Sequence, residues 1–359
     1  MDKPWAIGLA AVIGALAAYL LFWPIPISPA RWTPPEAPEL TGLYAPNDAL
    51  AETVRLGVGL GPESVTVDDA GKLFCGLEDG RIVRLSICDG SVESIVDLGG
   101  RPLGMAFDAA GDLIVCDLVG RLVAVSPAGA LREILTDVHG EPLGLVNDLD
   151  IADDGMIYVS ESSTRTTDTL LDLLEHRPHG RLLSVAPESG SVDVLLDGLY
   201  YANGVALSSD ESFVLVVETT EYRVRRLWLS GPRRGENEVF IDNLPGFPDG
   251  ISCDEEGTFW LALMNPRNPF VDWALERPWV RRIAARLPLG LFADAAPRYG
   301  FVLALDVDGN VVHNLQDPSG EHFAGISSVL RHGEHLYLGS LLEDAVGRFR
   351  LGSAIDTEE

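Results

Sequence analysis

The chain has 359 residues, with 26 Lys and Arg against 54 Asp and Glu, a formal net charge of −28. Such a carboxylate excess excludes nucleic acid as a main partner, because phosphate binding needs a basic face. A hydrophobic content of 47% with 22% charged residues excludes a disordered chain as well.

The N-terminus comes first. From Trp5 to Trp23 there is no charged residue, and a helix of that length rises roughly 28 Å, close to the hydrocarbon thickness of a bilayer. Pro24, Pro26 and Pro29 end it. This predicts a transmembrane signal-anchor over residues 1–23, with a cytoplasmic N-terminus and an extracytoplasmic (periplasmic or luminal) body. Ser28-Pro29-Ala30 loosely fits a cleavage site, so secretion after cleavage is the alternative; the apolar run is longer than the ~7–15 residues usual for a signal peptide. Residues 24–50, with seven prolines between Pro24 and Pro46, read as a Pro-rich extended tether.

Residues 51–353 are a repeat. Pro62-Glu63-Ser64-Val65-Thr66-Val67-Asp68-Asp69-Ala70-Gly71 is followed nine residues on by Gly80-Arg81. Leu103-Gly104-Met105-Ala106-Phe107-Asp108-Ala109-Ala110-Gly111 returns the same frame, with Gly120-Arg121 at the same distance. Further copies start at Asn147, Asn203 and Asp249, and a looser one near Ser327. The spacings are 40, 44, 56, 46 and about 78 residues. Short β-rich runs alternate with Asp-Gly turns, and a period of ~40–50 residues is that of a propeller blade. The fold class is therefore all-β, a six-bladed β-propeller with an N-terminal transmembrane helix and helical insertions.

Two insertions interrupt the repeat, at about 164–178 and 265–295. In the second, Val280, Ile283, Ala284 and Leu287 follow a helical stripe, while Arg277, Arg281, Arg282 and Arg286 occupy other faces. A lid over one propeller mouth, a solvated surface helix and a membrane-surface helix are three readings of it. Four cysteines are too few for a disulfide scaffold. Cys253 stands where the first repeat has Val67 and reads as a buried structural thiol. A Cys75–Cys88 bridge is left open.

The repeat starts carry the chemistry. Glu63, Leu103, Asn147, Asn203, Asp249 and Ser327 stand at matched positions that converge on the propeller axis. Four of these six bear a carboxylate or amide oxygen, and each costs kcal/mol when buried without a partner. A hard cation would satisfy all four; calcium accepts such oxygens in 6–8-fold geometry, whereas zinc would want His or Cys. The alternative is that Asn203-Gly204 and Asp249-Gly250 are simply turns.

Gly61-Pro62-Glu63-Ser64, Arg101-Pro102-Leu103-Gly104, Val146-Asn147-Asp148, Gly180-Arg181-Leu182-Leu183, Ala202-Asn203-Gly204-Val205-Ala206-Leu207-Ser208 and Phe247-Pro248-Asp249-Gly250-Ile251 resemble the strictosidine synthase-like family. That family belongs to the six-bladed superfamily of gluconolactonases, regucalcin and paraoxonases. The anchor followed by such a propeller resembles the adipocyte plasma membrane-associated protein branch. The resemblance implies Glu63, Asn147, Asn203 and Asp249 as calcium ligands and Asp148 as a position for a second metal. It implies hydrolysis of small lactones or aryl esters, with Asp249 as general base or nucleophile. Two departures stand out. The last-blade glutamate of strictosidine synthases is missing from Ala324-Gly325-Ile326-Ser327-Ser328-Val329, so strictosidine synthase activity is not expected. The paraoxonase-type histidine position is Leu103, and of the seven histidines only His322 is worth testing. The rival of a hydrolase is a non-catalytic propeller that binds a ligand or partner around structural calcium.

Overall fold

The computed structural model describes residues 4–288 and 297–353. Six four-stranded antiparallel sheets follow one another along the chain, and in each the strand that comes first in the repeat lies innermost. These inner strands are Val65–Val67, Pro102–Phe107, Leu145–Ile151, Ala202–Leu207, Gly246–Cys253 and Ile326–His332, for blades 1 to 6. Each touches the next, and the sixth touches the first, which closes the ring. Blade 6 takes its outermost strand from the other end of the chain: Val54–Gly57 pairs antiparallel with Ala345–Arg350. The six-bladed propeller follows from this order.

The repeat is legible in its turns. Asp68 Oδ1 accepts the N–H groups of Ala70 and Lys72, and Asp108 does the same for Ala110 and Asp112. Such Asp-centred turns deliver the chain from inner to second strand. They end on Gly71 and Gly111, whose φ values of 74° and 84° would strain any side chain. Second strands such as Leu113–Asp117 and Phe213–Glu218 are buried throughout, because the neighbouring blades cover both faces. One inter-blade core joins Phe74 and Ile82 of blade 1 to Met105, Val115 and Val123 of blade 2.

The arginines at the start of the third strands have a structural job too. Arg121 meets the fully buried Asp117 at 2.8 Å, Arg181 meets Glu161 at 2.7 Å, and Arg223 meets Glu218 at 2.5 Å. The two glutamates also accept main-chain N–H groups, Glu161 from Gly144 and Glu218 from Tyr200. Each carboxylate thus ties the end of a second strand to the third strand of its blade, and in blades 3 and 4 also to the segment leading into the inner strand.

The chain divides into two compact units. The larger is the propeller, which also includes residues 35–50. There Asn47 Nδ2 donates to Asn314 O, and Leu50 is fully buried in a cluster with Phe323 and Phe349. The smaller unit combines the described parts of Met1–Pro34, Asp168–Arg177 and Asn268–Ala296. It holds four helices: α1 (Pro4–Phe22), α2 (Thr169–Glu175), α3 (Pro269–Leu275) and α4 (Pro278–Ala284). The helical content expected of both insertions is present; residues 289–295 of the second lie outside the described residues. Helix α1 has 19 residues and no charged side chain. Among the residues whose side chains are described, no helix is long and apolar enough to cross a membrane.

Three expectations need correction or completion. Arg281 does not share a solvated face with its neighbours but is buried. Its guanidinium donates to the carbonyls of Ala274, Leu275 and Leu174, and to Ala30. Short helices leave their last carbonyls without intrahelical donors, and this one cation supplies them for α2 and α3. Cys75 is buried, Cys88 is exposed and both are free, so the open pairing is not made. Cys253 is only half-buried, because its strand faces a cavity there instead of a packed core.

Candidate metal centre

Five of the six inner strands are disturbed at one level of the channel; the short strand of blade 1 pairs regularly. Pairing with the second strand slips between Pro102 and Met105, Val146 and Leu149, Ala202 and Val205, Pro248 and Ile251, and Ile326 and Ser328. In each case the inner strand carries one extra residue, a β-bulge, and a bulge re-aims side chains that regular pleating would alternate. The slips fall on Leu103-Gly104, Asn147-Asp148, Asn203-Gly204, Asp249-Gly250 and Ser327. Asn203-Gly204 and Asp249-Gly250 are therefore not turns but interruptions within strands. Glu63 enters from blade 1 two residues ahead of its strand, its N–H donating to Gly76 O.

The glycines answer to crowding at this level. A Cβ on Gly204 would lie 2.5 Å from both Asp249 O and Ile251 N, and one on Gly104 would lie 2.2 Å from Asp148 Oδ1. Adjacent inner strands can approach this closely only where one of them lacks a side chain.

The result is one cavity of about 180 Å³ whose lining includes Glu63, Asn147, Asp148, Asn203, Asp249 and Ser327. All five candidate ligand positions meet in it. The sixth repeat start does not: Leu103 is buried, and Gly104 reaches the cavity in its place. No histidine lines it; His322 lies beside Asp317, at 3.3 Å. Two further groups bear on the site. Asp150 lines the cavity one pleat beyond Asp148, a spacing of two that sequence alternation could have flagged. Arg101 places its Nε 3.3 Å from Glu63 Oε2, and this buried Nε has no hydrogen-bond partner.

The amides are held at one end. Asn147 Nδ2 donates to Ser162 Oγ at 3.0 Å, and Asn203 Nδ2 donates to Thr219 Oγ1 at 3.1 Å. Both hydroxyls sit where the second strand of the same blade ends, one residue after the buried Glu161 or Glu218. Engaging the nitrogen ends leaves the Oδ1 ends free to accept, while the Asn203 side chain also hydrogen-bonds the Asp249 carboxylate. Asp148 and Asp150 serve the ring itself, Asp148 accepting Val205 N–H at 3.0 Å and Asp150 accepting Leu207 N–H at 2.8 Å. They stitch blade 3 to blade 4. Ser327 Oγ donates to Glu63 O at 2.6 Å and joins blade 6 to blade 1.

Charge is crowded here. Burial, then the Glu63 carboxylate, pushes Asp249 well above the usual carboxylate range. Burial raises Glu63 against the opposing Arg101. Asp148 is pushed up to about 7 and Asp150 to about 6, in both cases mainly by burial. One guanidinium cannot neutralise this group, so the cavity calls for a cation or for protons. Among the described residues no group of three or more His, Cys, Asp or Glu is arranged to hold a metal; the oxygen set here is two carboxylates completed by two amides. That hard, all-oxygen donor set fits calcium and not zinc. The one thiol in the lining is Cys253, which burial pushes up to about 12, far from the thiolate that zinc prefers.

Arg101 should oppose a cation at Glu63. Arg101→Gln is expected to tighten calcium roughly tenfold, the effect of removing about 1.4 kcal/mol of repulsion. Titration calorimetry on the variant reads this, and weaker binding would show that Arg101 orders the site instead.

Two family models match, strictosidine synthase over residues 147–232 and the strictosidine synthase-like N-terminal region over residues 42–85. The adipocyte plasma membrane-associated protein of Bos taurus is 35% identical over 354 residues, covering 91% of this chain and 85% of the relative. The Arabidopsis thaliana protein strictosidine synthase-like 10 is 36% identical, covering 87% and 93%. The chain belongs to the strictosidine synthase-like family. Solved structures extend that placement at the level of fold. A gluconolactonase from Xanthomonas campestris superimposes with a TM-score of 0.63 at 18% identity, covering 92% of this chain and 99% of its own. The calcium-binding protein regucalcin from Agrobacterium tumefaciens gives 0.59 at 19% identity, covering 82% and 92%. This strictosidine synthase-like chain thus shares the gluconolactonase and regucalcin propeller.

Proposed function

We propose that this chain is a membrane-anchored, calcium-dependent hydrolase of lactones or aryl esters. The carrying observation is the convergence of Glu63, Asn147, Asn203 and Asp249, from four different blades, on one buried cavity. Glu63 and Asp249 would supply the ligand charge, and the two asparagines neutral oxygens whose orientation Ser162 and Thr219 fix. Asp148 offers a place for a second metal. When bound, calcium supplies Lewis-acid polarisation of the scissile carbonyl and stabilises the oxyanion. Asp249 would take a proton from the attacking water at its free carboxylate oxygen, or attack the carbonyl itself.

The gluconolactonase and regucalcin names of the structural neighbours support the substrate class and the metal. The name of the Bos taurus relative supports a membrane location, with α1 as the anchor and the propeller on the extracytoplasmic side. A second reading, a non-catalytic binding propeller with structural calcium, has its own observation: without a histidine in the lining, Asp249 must be ligand and base at once. A panel of γ- and δ-lactones and phenyl acetate, assayed with calcium and with a chelator, tests the proposal. A calcium-dependent rate above background is expected; no metal-dependent rate on any of them would leave the binding reading.

A further inference from the structure

Among the described residues, every exposed aromatic ring belongs to the smaller unit. Four are on or just after α1: Trp5, Tyr19, Phe22 and Trp23. The other three are Phe270 and Trp273 on α3 and Trp279 on α4, at 63%, 41% and 59% exposure. Exposed large side chains of the propeller are aliphatic and scattered, which needs no explanation. Three large rings on two seven-residue helices do need one.

Charge is segregated in the same place. In the segment 267–286 five arginines stand against only Asp272 and Glu276, within a chain of net charge −28; Arg267 and Arg281 are buried, which leaves Arg277, Arg282 and Arg286 at the surface. Arg277 lies 4.6 Å from the centre of the Trp273 ring, and Arg282 is exposed. Aromatic rings interleaved with arginine are the composition of a bilayer headgroup region, where the ring is half-dry and the cation meets phosphate.

The position of this patch decides its partner. Tyr19 Oη donates to Arg286 O, and Arg286 Nε donates to Trp23 O at 2.6 Å. Arg281, inside α4, holds the carbonyl of Ala30. The insertion is therefore fastened to the end of α1 at which a spanning helix would leave the membrane.

We propose that α3 and α4 form an interfacial collar, lying in the headgroup layer of an anionic bilayer where α1 emerges, with Phe270, Trp273 and Trp279 dipping toward the acyl chains. This rests on the reading of α1 as an anchor. The collar would give the smaller unit a second attachment to the membrane beside the single helix.

The full chain, reconstituted in nanodiscs, tests it. In a Cys88→Ser background, Trp279→Cys is labelled with the environment-sensitive dye NBD; the unaltered protein labelled at the exposed Cys88 gives the aqueous reference. In phosphatidylserine-rich discs the label at 279 is expected to shift to the blue and to be quenched about twofold by lipids carrying nitroxide near the headgroup. Quenching should weaken in zwitterionic discs. Emission at 279 equal to that at Cys88 in both lipids overturns the collar, and so does quenching indifferent to lipid charge. Resistance of the chain to alkaline extraction reports α1 separately, so loss of the anchor and loss of the collar give different results.

Discussion

Asp249→Asn is expected to abolish hydrolysis while only weakening calcium binding, and Glu63→Gln is expected to weaken calcium more than it impairs the proton step. The asymmetry follows from the two carboxylates' surroundings. Glu63 has Arg101 beside it and no partner that would let it move a proton. Asp249 lines the cavity hydrogen-bonded to Asn203, and burial together with the Glu63 and Asp148 carboxylates raises its affinity for a proton. Asparagine keeps one oxygen for a metal but has no basicity, so the loss in turnover should reach about 10²–10⁴-fold, the contribution of a positioned base. Thermal unfolding supplies the second reading. Calcium at a thousandfold excess over its Kd should stabilise the unaltered chain by about 4 kcal/mol, and most of that should vanish in Glu63→Gln. If Asp249→Asn keeps full turnover, Asp249 is not the base; if neither variant changes the calcium response, the metal is not held here.

Asp117→Ala and Glu218→Ala should each cost about 3–5 kcal/mol of stability, the penalty for stripping one partner from a buried ion pair. Both carboxylates are wholly buried, and each removal strips an arginine of its nearest counter-ion, leaving Glu133 at 3.9 Å for Arg121 and Glu221 at 3.5 Å for Arg223. The two should part company over calcium. Blade 2 contributes no candidate ligand, so Asp117→Ala ought to leave affinity unchanged. Glu218 closes the strand whose next residue, Thr219, holds Asn203, and Glu218→Ala should therefore also loosen calcium. Denaturant unfolding together with calorimetry measures both. As a contrast, Glu256→Ala removes an exposed partner of Arg331 and should cost no more than about 1 kcal/mol. A cost below that for Asp117→Ala would mean that the buried pair contributes little.

The repeat made the architecture legible because several blades spell their turn chemistry locally: an aspartate, two small or polar residues and a glycine after the inner strand in blades 1, 2 and 5, and Gly-Arg after the second strand in blades 1 to 3. The site was legible for the same reason, since Glu63, Asn147, Asn203 and Asp249 occupy equivalent phases. How they converge was not. A bulge is one extra residue in a pairing register, and the register depends on the partner strand. Arg101 was quoted only as part of a motif, because nothing local says that its guanidinium turns toward Glu63. Arg281 looked like its neighbours on a helical projection. Its burial depends on carbonyl ends contributed by residues more than a hundred positions away.

The strand Val54–Gly57 has a consequence for how the protein comes into being. Its pairing partner in blade 6, Ala345–Arg350, is made only after the other five blades. Throughout synthesis it must wait, unpaired and next to the segment that would emerge from a membrane, while five complete blades assemble behind it. The ring cannot shut until Ala345–Arg350 has been made, and such long-range pairing is slow and leaves an exposed edge meanwhile. Glu63 and Ser327, which meet across that seam, come together only then. The ion would therefore act as a final check: a half-made propeller offers it amides and one carboxylate, and only the closed one offers it a complete site.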